Sequence, residues 1–246
     1  MASCLRSVWQ IPRTDQDRLV AAMQSPKLQR WIMQTTSSAL FLNFNAHRNQ
    51  RSISFIAAKL AESVPASSSA IVLSFFCGLH SRPIPDSDNS DFGVAGMMRS
   101  LISQLLVAYQ DFSIQVVKGI QAADLDEVKD LCKMLFLLVA KLPRKTTVFC
   151  ILDGVTRFEE NKALREESEM VVKQMVEVVD WTAANGCCFK LLLTSPGRSQ
   201  VLYRHLIEPE RDSVWLPANV PSQGGFTKGK WEAALRGSKD RLGVFL

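Results

Sequence analysis

Short apolar runs alternate with amphipathic segments along the 246-residue chain. Continuous apolar runs at 39–44, 71–77, 146–153 and 188–195 are typical of strands, and the residues between them repeat their apolar positions at helical spacing. Strands that are apolar throughout, rather than at every second position, indicate a sheet covered by helices on both faces. The pattern predicts an α/β fold, a three-layer sandwich with about five mainly parallel strands, the last an edge strand at 213–216.

Capping residues and prolines set the predicted helix limits. Ser52 is placed as the N-cap of a helix that stops before Pro65, and Asp124 with Glu127 resembles a capping box at the start of another. Further helices are predicted over 19–32, 97–108, 166–184, 198–207 and 231–236.

Three regions follow from these elements. Residues 1–25 are predicted to form an N-terminal helical extension, residues 26–216 the main α/β domain, and residues 217–246 a basic, weakly ordered tail. The tail carries Lys228, Lys230, Arg236, Lys239 and Arg241. Because no repeat array and no room for a winged-helix module follow the domain, we expect a short or truncated version of a longer architecture.

Composition excludes several classes of function. An apolar content of 47% with 22% charged residues is typical of a globular chain. No run approaches the ~20 apolar residues of a membrane span, and no signal peptide is visible, which favours a cytoplasmic protein without membrane contact. The six cysteines fit small core residues, and Cys77 with His80 lacks a second ligand pair, so no metal site is predicted. A net charge of +5 is weak evidence for nucleic acid.

The order of motifs resembles a known family. Its parts are a Trp31-containing helix from Pro26, a strand over 40–44 with a loop after it, Phe75-Phe76 after the second strand, a helix over 97–106, and strands ending in Asp153 and in Thr194-Ser195. Together, over 26–216, they resemble the NACHT-type, nephrocystin-like module of the signal-transduction (STAND) P-loop NTPases, common in filamentous fungi. The resemblance implies a P-loop NTPase fold that takes part in conformational signalling and in self-association or partner binding.

The stretch from Asn45 to Ser52 stands where that family carries its phosphate loop, G-x-x-x-x-G-K-[ST]. Asn45 and Gln50 occupy the glycine positions, and both add side chains where backbone N–H groups must approach phosphate. Arg51 replaces the lysine, and Ser52 keeps the hydroxyl that contacts Mg²⁺ in the family. The sequence predicts a degenerate Walker A loop that is either a structural relic or a weak anion site.

The acidic motif is also altered. Asp153 and Gly154 remain, whereas Thr156 and Arg157 stand where the family has two acids, and arginine stays protonated and cannot act as a base. Glu159 and Glu160 follow out of register.

In the strand-end motif Thr194-Ser195-Pro196-Gly197-Arg198, Pro196 takes the position of the family's sensor arginine. Arg198 lies two residues further on, either facing the cleft or on the surface.

These losses predict a non-catalytic signalling or scaffold module, a pseudoenzyme with no catalytic residues, no cofactor and no metal. We expect a protein partner or self-association. The alternative is a divergent NTPase that binds ATP or GTP with Mg²⁺ through Arg51, Ser52 and Asp153, with Arg198 as a further candidate for nucleotide binding.

Overall fold

The structure, a computed structural model, describes residues 4–5, 10–45, 50–64, 69–79, 92–113 and 127–242. In these ranges the helices are α1 Arg13–Gln24, α2 Pro26–Met33, α3 Gln50–Ser63, α4 Gly93–Ala108, α5 Val128–Ala140, α6 Lys162–Asn185 and α7 Lys228–Leu242. The strands are β1 Ser38–Asn43, β2 Ala70–Phe76, β3 Thr147–Asp153, β4 Cys188–Ser195 and β5 Ser213–Trp215. Short 3₁₀ turns cover Cys77–Leu79, Val155–Glu160 and Leu202–His205.

The five strands form one parallel sheet in the order β2-β3-β4-β1-β5, which confirms the predicted three-layer α/β fold. Each strand sends alternate side chains to opposite faces, and both faces are apolar. In β1, Ala39 and Phe41 pack with α4, α5 and α6, whereas Leu40 and Leu42 pack with α1, α2, α3 and α7. The sheet is therefore buried on both sides, as its uninterrupted apolar strands predict.

Lys190 interrupts this pattern in the middle of β4 and is only 1% exposed. Its ammonium group donates a hydrogen bond to the Gln34 carbonyl and lies 5.5 Å from the centre of the Trp31 ring. Burial lowers the pKa of Lys190 to about 8. A carbonyl dipole and an aromatic face thus stabilise a cation inside the sheet layer.

The region predicted as a tail contributes to the core at residues 226–235. Helix α7 is longer than the predicted 231–236, and Trp231 and Leu235 are buried with residues of α1, α2 and α3. Trp231 Nε1 donates to Ser63 Oγ at 3.0 Å, and the Phe226 ring stacks edge-on against Phe55 with centroids 4.8 Å apart.

We call residues 222–231 the C-terminal latch, because hydrogen bonds attach them to helix α1. The carboxylate of Asp17 in α1 accepts hydrogen bonds from the backbone N–H groups of Gln223 and Gly225, each at 2.8 Å. Gly225 has a φ of 66°, a left-handed conformation that glycine adopts without steric cost. Lys230 Nζ donates to the Gly225 carbonyl at 2.9 Å and also to the Gln223 carbonyl.

Several predicted helix limits need correction. Ser52 lies inside α3, which contains residues 50–63, so it is not an N-cap. Residues 198–207 form only the 3₁₀ turn Leu202–His205. Ser199 Oγ accepts the Leu202 N–H before its start, and the turn ends where Leu206 adopts an extended conformation. Helix α6 begins at Lys162, four residues before the predicted 166, with Asn161 Oδ1 capping Ala163 and Leu164. Asp124 of the predicted capping box lies outside the described residues, and α5 begins at Val128.

Strand β2 lies at one edge of the sheet, and Gln104 of α4 pairs with its backbone. The side-chain amide accepts the Ser74 N–H at 2.9 Å and donates to the Ser74 carbonyl at 3.0 Å. Those two backbone groups are the ones an additional strand would use at that point.

Candidate functional site

The carboxyl ends of β1 and β4 border a crevice that the topology creates. From β1 the chain passes through α3, on the face of α1 and α2, to β2 at the far edge. From β4 it crosses the opposite face, where Leu202 and Leu206 are buried, and reaches β5 on the other side of β1. Two adjacent strands whose connections leave in opposite directions form the switch point at which open α/β sheets bind ligands.

Asp153, at the end of β3, is the acid beside this crevice and is almost fully buried. One carboxylate oxygen accepts the Ser54 hydroxyl at 2.5 Å, and the other accepts the Thr194 hydroxyl at 2.6 Å. Thr194 Oγ1 in turn accepts the Gly154 N–H at 3.0 Å. Burial raises the pKa of Asp153 to about 6, although both hydroxyls favour the ionised form.

The loop after β1 keeps one backbone feature of a glycine-rich turn. Asn45 has a φ of 48°, the left-handed conformation that the glycine position of a phosphate loop permits. Its N–H is bound by Asn43 Oδ1 at 2.8 Å, and Asn43 Nδ2 donates to the Gly197 carbonyl. The side chain of Asn43 thus ties the backbone of the loop to the segment that follows β4. Residues 46–49, predicted as part of this loop, lie outside the described residues.

Of the remaining loop positions, Ser52 is the one whose side chain the structure places. Ser52 Oγ is fully buried in α3 and has no hydrogen-bond partner among the described residues. The serine that contacts the strand acid Asp153 is Ser54, two residues further along α3. Arg51 lies in the first turn of α3, and the structure describes its backbone only.

The two altered acid positions make contacts unlike those of a carboxylate. Thr156 Oγ1 shares a hydrogen bond of 2.7 Å with Ser195 Oγ, which joins the turn after β3 to the end of β4. Arg157 Nη1 lies 2.7 Å from Glu160 Oε1 in a partly exposed ion pair. A cation therefore stands at the place where the family resemblance implies a water-polarising acid.

Glu159, considered from the sequence as a substitute acid, holds the segment after β4. Its buried carboxylate accepts the Ser199 hydroxyl at 2.6 Å and the Gln200 N–H at 2.7 Å. The Arg165 guanidinium donates to the Glu159 carbonyl at 3.0 and 2.7 Å. With these donors on its oxygens, Glu159 acts as an anchor for 199–202.

Arg198 is exposed and lines a cavity of about 520 Å³ at the carboxyl ends of β3 and β4. Arg157 and Arg165 line the same cavity. Of the four predicted site residues, Asp153 lies at the crevice and Arg198 at this cavity, while Ser52 is buried in α3 away from any described partner.

Sequence reasoning missed the hydroxyls that hold Asp153. Ser54 follows Ile53 and precedes Phe55, both buried, so a polar residue inside an otherwise buried turn was the available signal. Thr194 was recognised within a motif, but its contact depends on the register of β3 beside β4, which pairs Leu152 with Leu193.

Two features are absent from the described residues. No group of three or more His, Cys, Asp or Glu side chains is arranged to hold a metal ion there. None of the helices in the described ranges combines the length and the apolar character that a bilayer crossing needs.

An all-parallel sheet between two helical layers, with a buried acid at the carboxyl end of β3, defines a three-layer α/β protein. The model of the nephrocystin 3 N-terminal family matches residues 20–195, and the chain belongs to this family. The match is consistent with the nephrocystin-like resemblance found in the motifs. A search of the curated proteins found no match.

Proposed function

We propose that the protein is a non-catalytic, NACHT-like member of the signal-transduction NTPases, of the kind common in filamentous fungi, and that it acts as a signalling or scaffold module. The observation that carries this proposal is the replacement of the acids beside Asp153. Thr156 is bonded to Ser195, Arg157 is a cation, and Glu159 is committed to the backbone and hydroxyl of 199–200. Glu160, the other carboxylate of the turn, is paired with Arg157, so neither acid of Val155–Glu160 is left unpaired to orient an attacking water.

The contacts of Asp153 support the same proposal. Both carboxylate oxygens already accept short hydrogen bonds from Ser54 and Thr194. A magnesium ion held by Asp153 would have to compete with those hydroxyls in a buried site where the neutral acid is favoured by desolvation. A binding module needs the fold but not the catalytic acids. We expect its partner to be a protein or a second copy of this chain.

Phosphate release from ATP and from GTP, measured with Mg²⁺ at micromolar protein, tests the absence of turnover. We expect the rate to equal the buffer blank, and the Asp153→Asn variant to give the same value. Turnover above the blank that Asp153→Asn abolishes would overturn the proposal. Sedimentation over a hundredfold concentration range tests self-association, and a mass that rises with concentration is the expected result for a second copy as partner.

The second candidate is a divergent ATP- or GTP-binding protein that uses Arg51, Ser52 and Asp153 with Mg²⁺. The left-handed Asn45 and the buried hydroxyl of Ser52, which has no hydrogen-bond partner in the described part of the chain, favour it. Tight binding to the native state must raise its melting temperature, so a rise with ATP and Mg²⁺ that Asp153→Asn removes would support this candidate. A melting temperature that stays constant up to millimolar nucleotide would exclude it.

A further inference from the structure

Strand β1 is paired along only part of the side that it turns toward β5. The register between the two strands covers residues 41–43 of β1, and the Phe41 N–H donates to the Asp212 carbonyl at 2.8 Å. Every second residue of a strand directs its backbone N–H and carbonyl to the same side. Ala39, two residues before Phe41, therefore also directs these groups to the β5 side.

The turn before β5 diverts the groups that would continue the ladder to Ala39. In a continued parallel ladder the Ala39 N–H would donate to the Glu210 carbonyl, and the Ala39 carbonyl would accept the Asp212 N–H. The Asp212 N–H instead donates to the Glu208 carbonyl at 2.8 Å, and the Glu210 carbonyl accepts the Lys27 ammonium group. Within the described ranges, β5 and the turn before it thus offer Ala39 no backbone partner.

A cavity of about 480 Å³ opens at this unpaired part of β1, a volume within the range of small-ligand sites. Ala39 and Leu40 of β1 line it, together with Trp31 of α2 and Val179 of α6. Ala39 packs on the α6 face of the sheet, whereas Leu40 and Trp31 pack on the other face. The cavity therefore extends from the edge of β1 between α2 and α6, where a further strand would lie.

The two helices bring opposite charges to this cavity. Arg30 of α2 and Asp180 of α6 both line it, both are exposed, and neither side chain has a hydrogen-bond or ion-pair partner in the part of the chain that the structure describes. Arg211, in the same walls, is already paired with Glu208 at 2.6 Å and with Asp212 at 2.8 Å. A ligand thus meets a cation on the α2 side and a carboxylate on the α6 side.

We propose that this cavity binds an extended segment of a partner protein, which pairs with Ala39 as an added strand. Main-chain hydrogen bonds supply affinity in strand addition, and side chains on the two faces supply specificity. Because successive side chains of a strand point to opposite faces, the segment should carry an acidic residue toward Arg30 and, at a neighbouring position, a basic residue toward Asp180. This inference rests on the proposed function, since it specifies how the expected protein partner is held.

Nuclear magnetic resonance of the isotope-labelled full chain tests the proposal, with the peptide acetyl-Thr-Lys-Glu-Thr-amide as the probe. We expect the Ala39 amide resonance to shift and to saturate at millimolar peptide. The isomer acetyl-Lys-Thr-Glu-Thr-amide has the same composition but places both charges on one face, so it should bind about threefold more weakly, as the loss of one exposed ion pair predicts. The first peptide with N-methylated backbone amides cannot donate to β1 and should leave the Ala39 resonance unshifted.

Variants of the chain test the same contacts from the other side. Arg30→Glu and Asp180→Lys should each weaken binding of the first peptide about threefold. Arg204→Glu is the matched control, because Arg204 is an exposed arginine that does not line the cavity, and its affinity should equal that of the parent chain. Ala39→Pro removes the N–H that faces away from β4 and should abolish binding, with the melting temperature showing whether the variant is folded.

Several results would overturn the inference. They are an Ala39 resonance that does not move at millimolar peptide, equal affinities for the two isomeric peptides, binding that survives N-methylation, or equal losses for Arg204→Glu and Arg30→Glu. A shift of the Ala39 resonance on dilution of the chain alone would identify a second copy as the occupant and would also overturn it. Phosphate release is measured separately, so turnover would contradict the proposed function without altering the peptide result.

Discussion

Asp17, beside the C-terminal latch, and Asp153, at the carboxyl edge of the sheet, are both buried aspartates, yet their pKa values are shifted in opposite directions. Asp17 accepts two backbone N–H groups, and the Gly225 amide is the main reason that its pKa is lowered. Asp153 is held by two hydroxyls, and burial raises its pKa to about 6 in spite of them. Folding therefore favours the ionised form of Asp17 and disfavours the ionised form of Asp153.

The difference lies in the donors. Backbone amides in a turn are fixed dipoles that stabilise a negative charge wherever the fold places them, whereas hydroxyls can rotate and serve either protonation state. Asp17 therefore belongs to the structural framework that attaches the latch to α1. A charge kept at Asp153 against its desolvation cost is typical of functional sites, where stability is given up for a chemical property.

The largest expected effect concerns the latch. Trp231→Ala should lower the free energy of unfolding by about 3–5 kcal/mol, because it removes a buried indole and leaves a cavity against α3. Urea denaturation followed by circular dichroism measures it. Trp215→Ala is the control, and since Trp215 is 43% exposed its loss should be clearly smaller. A change below about 1 kcal/mol for Trp231→Ala would mean that the latch is not part of the folded core.

The next prediction is an increase in the free energy of unfolding. Asp153→Asn should stabilise the protein at pH 8 by about 1–3 kcal/mol, since it removes a buried charge whose pKa shift corresponds to that order of free energy. One neighbouring hydroxyl must turn to accept the new amide, which limits the gain. Thermal and urea unfolding measure it, with the exposed Asp180→Asn as control. Destabilisation at pH 8 would show that the ionised carboxylate is a net structural contributor.

The pH profiles of the two aspartates should diverge. Because the folded pKa of Asp153 is raised from 3.8 to about 6, its contribution to stability is fully present below pH 4 and is lost as pH rises through 6. Asp153→Asn should therefore match the parent chain near pH 4 and exceed it above pH 6. For Asp17 the folded pKa is lowered, so Asp17→Asn should show its deficit at neutral pH and lose it on acidification below the usual value of 3.8. Parallel profiles would contradict the comparison.

The smallest effect concerns the loop after β1. Asn45→Ala should destabilise the protein by about 1 kcal/mol, because alanine in a left-handed conformation is strained and lacks the local hydrogen bonding that asparagine offers. Asn45→Gly is the matched control and should differ little from the parent chain. Equal destabilisation by both variants would indicate that the asparagine side chain, rather than the backbone conformation, supports the loop.

Much of the fold could be predicted because the strands are apolar on both faces and proline or glycine marks many boundaries. Lys190 shows a limit of prediction from the sequence, because its charge lies among apolar neighbours of β4. Only the tertiary positions of Gln34 and Trp31 explain how this charge is stabilised. The latch belongs to residues 217–246, which the sequence predicts as a basic, weakly ordered tail. Its attachment depends on Asp17, more than 200 positions earlier, and no local pattern carries that information.

The candidate site likewise contains residues that the sequence could identify and residues that it could not. Asp153 follows from its place at the end of a buried strand, and the altered residues Thr156 and Arg157 follow from motif spacing. Ser54 could not be preferred over Ser52, because the choice depends on how α3 is rotated over β3, which sequence spacing does not fix. Glu159 appeared as a misplaced acid, and its role as an anchor appears only when 199–202 folds back over it.

The pairing of Gln104 with Ser74 has a consequence for how copies of this chain can meet. The Gln104 side-chain amide bonds the backbone N–H and carbonyl of Ser74 as a neighbouring strand would, so a strand of a second molecule finds those two groups already occupied. Growth of a continuous intermolecular ladder is discouraged on that side. Any pairing by strand addition is thereby directed toward the β5 border, where the three residues Ser213–Trp215 offer only a short template.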